Sequence, residues 1–302
     1  MGTDPVYVFR GHRSASNWKL VASLHRNLND WKSINDRRLD IHWRRWNGVS
    51  DTAPLPLSSE ATIDSRLKLY DYICDYYINR MCAFATIAGE TGLLTGAAAT
   101  DATRLLNALR SERMHRYSHS VFINHPALTS LAQHSGIPTP FLDWTRNPLA
   151  ALLFACEEII HEASVSASHS PTRRPPSDAS KADIADAFAC VWVIPIWMIA
   201  NDRFQVVSVV DQQFARTQSG IFTYDTMAYK EFGDTGQVGA LEDVFPPSGL
   251  QNNYRPRRVV FPKEWAYRIH KILHMNRITD VHLRPTLPAI AAHCMNPAFS
   301  LI

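Results

Sequence analysis

The spacing of apolar positions changes several times along the chain, and each change marks an element. Val6-Tyr7-Val8-Phe9 is a short β-branched and aromatic run closed by Arg10-Gly11, which predicts an early strand with arginine at its end. Ile63, Leu67, Tyr70, Ile73, Cys74, Tyr77, Met81 and Phe84 then recur at steps of three and four, the period of an amphipathic helix. Gly89 to Thr100 reads as a connection, after which Asp101 is placed to cap a second helix through Leu105, Leu106 and Leu109. A third helix is predicted from Pro126, as its first residue, to a stop at Gly136. Ile137-Pro138-Thr139-Pro140 cannot be helical, because each proline restricts the residue before it. Phe141-Leu142 predicts a short buried strand ending on Asp143-Trp144-Thr145. Asn147-Pro148 supplies an N-cap and a first position for the next helix, and Leu149 to Cys156 is so apolar that this helix should be buried on most sides.

The flanking segments are less distinctive. Trp31 to Trp46 interleaves tryptophan and arginine, which fits a helix with Trp inward and Arg outward or a grip on single-stranded nucleic acid. Residues 163–181 are rich in Ser, Pro and Arg and predict a flexible surface insertion. Strands are expected at Ala187 to Pro195, Phe204 to Val210 and Gly220 to Tyr224, with a short helical turn at Asp211 to Arg216. Glu231 to Asn253 reads as loop, Arg255 to Phe261 as an edge strand, Glu264 to Met275 as a helix and Pro288 to Cys294 as a last helix. A strand, a helical block, then strands with helices between them predicts an α+β fold. We read 1–302 as one domain with a mixed β core of short strands.

Composition narrows the class without naming it. With 46% hydrophobic and 20% charged residues the chain can build a sizeable core, and a net charge of +3 is too small to identify a nucleic-acid binder. Five cysteines, widely spaced and never in C-x-x-C, look like buried thiols of a reducing compartment. No signal peptide and no apolar run near the ~18 residues of a membrane span are visible, so a cytoplasmic protein without membrane contact is expected.

Several chemistries lack their signatures. There is no G-x-x-x-x-G-K-[ST], G-x-G-x-x-G, H-E-x-x-H or G-x-S-x-G. His115/His119 and His270/His274 have i, i+4 spacing, but no acidic neighbour completes a metal set, so no metal is expected. What remains is polar groups at strand ends: Arg10, Asp143 to Arg146 and Arg216 to Gln218. Arg10 beside Gly11 suits phosphate, because the guanidinium is a planar fork and glycine lets backbone approach, or it is a solvated strand end with a turn glycine. The Asn147-Pro148 helix start offers free amides and positive potential to an anion, or is simply a well-capped connection. His134 suits a general base near neutral pH, or a helix end facing the C-terminal dipole.

Taken together, these residues resemble the FRG domain family. Phe9-Arg10-Gly11 matches its opening. Gln133-His134, Gly136, Pro138-Thr139, Leu142-Asp143-Trp144-Thr145, Asn147-Pro148, Ala151-Leu152 and Phe154-Ala155 match its central hallmark. Arg216-Thr217-Gln218-Ser219-Gly220-Ile221-Phe222-Thr223 is similar to a third element, and Ile269 to Ala292 to the closing segment. Ser135, Pro140 and His12 depart from residues common in the family.

The resemblance implies a bacterial effector related to toxin and anti-phage systems. Its motif order is also similar to ADP-ribosyltransferases, which implies NAD as substrate, a macromolecular acceptor (protein or nucleic acid) and a regulatory or antitoxin partner. Arg10 and Gly11 would hold pyrophosphate or ribose, Trp144 would stack on a ring, and Thr145, Arg146 and Asn147 would order the ribose strand and phosphate. Asp143, Gln218 and His134 would be catalytic, with Asp143 offsetting the positive charge that develops on the ribose. Gln218 is neutral where the transferases carry glutamate. Two alternatives stay open: a nucleotide-binding module without chemistry, and a nucleic-acid-acting protein using His134 and Asp143 with Arg44, Arg45, Arg257 and Arg258 on phosphates.

Overall fold

The computed structural model describes residues 6–16, 19–30, 61–110, 119–169, 187–207, 220–245 and 256–283. Six strands form one sheet: β1 (Tyr7–His12), β2 (Phe141–Thr145), β3 (Phe188–Pro195), β4 (Phe204–Val207), β5 (Gly220–Asp225) and β6 (Arg257–Pro262), in the order β4-β5-β2-β1-β3-β6. The fold is α+β as expected, and among the described residues every pairing in the sheet is antiparallel. β1 pairs with β3 from Tyr7↔Pro195 to His12↔Cys190, yet with β2 it pairs only at Phe9↔Thr145. The middle of the sheet is therefore held on one side of β1 and parted on the other.

The helical block covers the β2–β5 half. α1 (Ser23–Asn29) leads into α2 (Ile63–Glu90), whose apolar stripe at steps of three and four buries Tyr70, Ile73, Cys74, Tyr77 and Met81. α2 packs with α3 (Gly96–Arg110), α4 (Ser120–Asn124) and α5 (Pro126–His134), and Phe141, Phe222 and Tyr224 enter the same core from the sheet. Asp101 does not cap α3, which already begins at Gly96. It is buried, and its carboxylate accepts from the Ala127 and Leu128 amides at 2.8 and 3.3 Å, capping α5 from a neighbouring helix.

The opposite face of β2 buries Leu142 and Trp144 with Val8, Trp192, Ile194 and Ile221. α6 (Pro148–His169) lies against β1 and β3, burying Ala151, Ala155 and Cys156. Gly11 is what allows that approach: a Cβ there would stand 1.9 Å from the Ala151 carbonyl oxygen and 2.8 Å from the Ala155 nitrogen. α6 runs on to His169, so the start of the expected insertion at 163–181 is helical; 170–186 lies outside the described residues.

α7 (Ile196–Ile199) follows β3 directly. Residues expected to be loop from Glu231 contain the end of α8 (Ala228–Thr235) and all of α9 (Leu241–Val244), short helices whose few apolar positions give no sequence periodicity. β6 is the expected edge strand, and α10 (Ala266–Met275) follows it through a single 3-10 turn, with α11 (Asp280–Leu283) beyond. The Trp/Arg segment at 31–46, the turn at 211–216 and the helix expected at 288–294 lie outside the described residues. Among the described residues, no helix is long and apolar enough to cross a membrane.

Candidate functional site

The parting of β1 from β2 opens a cleft of about 350 Å³, walled on one side by α6. Its lining includes Phe9, Arg10 and Gly11 of β1, Asp143 and Thr145 of β2, His134 at the end of α5, and Phe154, Glu157, Glu158 and His161 of α6. Arg10 spans the gap. Its Nη1 donates to the Asp143 backbone carbonyl at 2.6 Å and forms a short ion pair with the Asp143 carboxylate, while Nε donates to His12 Nε2 at 2.9 Å. His12 is buried, and accepting at Nε2 requires a neutral ring with its proton on Nδ1. Nη2 of Arg10 has no hydrogen-bond partner among the described residues.

The central motif explains how Asp143 is aimed. α5 ends in a Schellman motif: Gly136 has φ +88°, its amide bonds the Gln133 carbonyl at 3.0 Å, and the Ile137 amide bonds Ala132 at 3.0 Å. This turn brings Gln133 beside the start of β2. The Thr139 hydroxyl donates to Gln133 Oε1 and accepts from the Phe141 amide, and Gln133 Nε2 donates to Asp143 Oδ1 at 3.2 Å. Ser23 of α1 ties the same loop through the Thr139 backbone at 3.1 and 3.3 Å. The Gln, Gly, Thr and Asp of the motif therefore form one chain of contacts that ends on the carboxylate.

Burial works against the Asp143 charge, but the Arg10 guanidinium and then His134 outweigh it and hold the carboxyl at a pKa of about 2. Glu158, facing the same cleft, moves the other way. Desolvation raises its pKa and the Asp143 charge adds to this, against the lowering pull of Arg10, Arg13 and a hydrogen bond from the Arg13 backbone. Two carboxyl groups of one cleft with affinities pushed apart is the arrangement that separates a fixed anion from a proton carrier.

Not every expected residue faces the cleft in its expected role. Trp144 borders it, but the indole is buried on the other face of β2 and its N–H donates to Thr223 Oγ1 at 3.0 Å, so it is a core residue in this arrangement. Thr145 Oγ1 accepts from the Asn147 amide at 3.0 Å, and Asn147 Oδ1 accepts from the Leu149 and Ala150 amides at 3.0 and 3.4 Å. The α6 N-terminus thus caps itself and lies outside the cleft lining, which runs along the side of the helix two turns later. Arg146 is exposed and also outside that lining. Gly11 lines the cleft, but the close approach it permits is that of α6. His134 lies in the lining, with its ring edge-on to Phe222 at 6.1 Å. Gln218 lies outside the described residues.

Glu157, Glu158 and His161 were not singled out in the sequence. They follow Phe154 at i+3, i+4 and i+7, one helix face, and that spacing was the available signal.

A family model described as FRG domain matches residues 80–164. The matched span carries Gln133, Thr139, Asp143 and the α6 face with Glu158, and it identifies this stretch as FRG-domain sequence. Arg10 and the third element lie outside it. No curated protein and no solved structure matches the chain.

Proposed function

We propose that the cleft binds NAD and transfers its ADP-ribose to a macromolecular acceptor, as an ADP-ribosyltransferase-like effector of the toxin and anti-phage type. The observation that carries the reading is the Arg10–Asp143 pair across the parted strands, with Glu158 on the facing helix. Three carboxylates (Asp143, Glu157 and Glu158) face one guanidinium in this cleft, a charge balance that suits the cationic nicotinamide ring.

In this reading Arg10 exchanges Asp143 for a phosphate of the ligand, and the carboxylate so released lies beside the ribose. The bond from ribose C1′ to the nicotinamide nitrogen breaks, its electron pair leaves with the ring, and Asp143 stabilises the positive charge developing on the sugar. The acceptor nucleophile attacks C1′ and gives its proton to Glu158. Gln133 keeps Asp143 oriented. This assigns to Asp143 and Glu158 the work for which a glutamate at the Gln218 position had been missed.

The test is transfer. Purified protein is incubated with a cell lysate and NAD labelled in its adenosine half. Label should enter macromolecules with wild type and not with Asp143→Ala, and the labelled fraction identifies the acceptor. Nucleotide that binds without any label moving supports the binding-module reading.

A further inference from the structure

The formal charge of +3 conceals an uneven distribution along the chain. Residues 257–277 run through β6, the 3-10 turn (Lys263–Trp265) and α10, and hold six Lys or Arg and one glutamate, a formal +5. The rest of the chain is therefore net negative. Arg257 and Arg258 of β6, Arg268 and Lys271 of α10 and Arg277 beyond it are all exposed. Among the described residues, none of Arg257, Arg268, Lys271 and Arg277 is in a salt bridge. Arg258 is fixed in place: its guanidinium lies over the Trp192 ring, 5.1 Å from the centroid, and donates to the Ala15 carbonyl. Charge of one sign gathered at one edge of the sheet draws an anionic partner.

Two large rings stand among these cations. Trp265 is 54% exposed and Tyr267 73%. Arginine on an edge strand also discourages edge pairing, but that role gives no reason for two exposed aromatic rings directly after the strand. Rings interleaved with Lys and Arg match single-stranded nucleic acid, whose bases stack on aromatic faces while its phosphates meet the cations. A lipid surface fits less well. At about 3.6 residues per turn, the outermost line of α10 is Arg268, Lys271 and Met275, opposite the buried Ala266 and Leu273. A helix lying in a membrane interface turns an apolar face outward, whereas two of these three are cations.

We propose that β6, the turn and the outer face of α10 form a docking surface for single-stranded nucleic acid. Trp265 and Tyr267 are its stacking platforms, and Arg257, Arg258, Arg268 and Lys271 its phosphate contacts. The surface is distinct from the cleft, although α6 is shared by the two: Phe154 lines the cleft and packs with Leu273 of α10. Docking needs neither NAD nor Asp143, so it stands apart from the transferase reading.

The experiment is fluorescence anisotropy of a labelled oligothymidylate of about 20 nucleotides titrated with the full chain over a range of salt concentrations. Wild type is compared with Tyr267→Ala, Tyr267→Phe, the double variant Arg268→Gln/Lys271→Gln, and Arg110→Gln. All the changes are at exposed positions. Tyr267→Ala should weaken binding at least about fivefold, and Tyr267→Phe, which keeps the ring, should bind as wild type does. The double variant should bind at least about tenfold more weakly, and its slope of log affinity against log salt should be shallower by about 1.4, the share of two phosphate contacts. Arg110→Gln, on α3 in the helical block, should bind as wild type does.

No binding to wild type at low salt, an affinity that does not vary with salt, equal binding of polyglutamate, or equal weakening by Arg110→Gln would each overturn the surface. Adhesion to phosphatidylglycerol vesicles without binding of the oligonucleotide would overturn it too. Binding that depends on Tyr267 and on salt, in a protein that never releases nicotinamide, would sustain the surface and defeat the transferase reading. Nicotinamide release with no oligonucleotide binding would do the opposite.

Discussion

Gly11→Ala tests whether the glycine of the opening motif serves helix packing. The added Cβ would meet the Ala151 carbonyl oxygen at 1.9 Å and the Ala155 nitrogen at 2.8 Å. Both are backbone atoms of α6, so no rotamer change relieves the clash. Reaching an ordinary contact of 3.4 Å requires β1 and α6 to part by about 1.5 Å. That separation opens the packing around Ala151, Ala155 and Phe9. Overpacking costs about 1–3 kcal/mol where side chains can give way, so a clash with rigid backbone should cost about 3 kcal/mol or more. At about 2–4 °C per kcal/mol, the melting temperature should fall by at least about 6 °C. Gly89→Ala is the internal control. It lies in α2 with nothing within 4 Å of its added Cβ, and should be neutral or stabilising by up to about 1 kcal/mol. Thermal unfolding of the two variants beside wild type decides the matter. A Gly11→Ala protein that melts within about 2 °C of wild type would refute the packing account.

Four further outcomes follow from the same structure. Gln133→Leu should leave the fold in place and lower turnover by about tenfold or more, because Asp143 loses the contact that orients it; a normal rate would show that Gln133 does not position the carboxylate. Glu158→Gln should slow label transfer far more than it weakens nucleotide binding, and equal loss of both would remove the proton-carrier role. Trp144→Phe should cost about 1–2 kcal/mol through the lost Thr223 hydrogen bond while nucleotide affinity is kept; a selective loss of affinity would return the indole to the ligand. Burial holds the His25 pKa down to about 3, against 6.5 for a free histidine, so the unfolded chain binds the extra proton between those values. Stability should therefore fall as pH drops from about 6.5 towards 3, by about 1.4 kcal/mol per unit from this group, and urea midpoints of His25→Asn should show a flatter profile.

The parts of the site that were legible in the sequence are those set by local rules. Pro126 and Gly136 bound α5, and Asn147 and Pro148 start α6, because capping and proline geometry act within a few residues; of the apolar run after them Ala150, Ala151, Leu153, Ala155 and Cys156 are buried while Leu149 is exposed. Arg10 and Asp143 were both singled out, and the structure brings them into contact. Their pairing depends on strand order, which no local rule contains. The same holds for Asp101, whose cap serves a helix 25 residues further along, and for Gln133, whose partner is fixed only once α5 and β2 are in place. Glu158 was hidden for a different reason. The apolar run from Leu149 to Cys156 marks α6 as buried, and the polar face that begins at Glu157 has no motif of its own to mark it. Trp144 is the converse case: an aromatic beside an acidic residue looks like a ligand platform, and period-two alternation turns its indole to the opposite face of the strand, where it bonds Thr223.

The most direct test of the central claim is nicotinamide release from NAD by the purified chain, measured for wild type, Asp143→Ala and Arg10→Ala in parallel. Release by wild type that vanishes in Asp143→Ala and is strongly reduced in Arg10→Ala is the result predicted. Release that persists in both variants, or none from wild type with or without lysate, would contradict the account of this cleft.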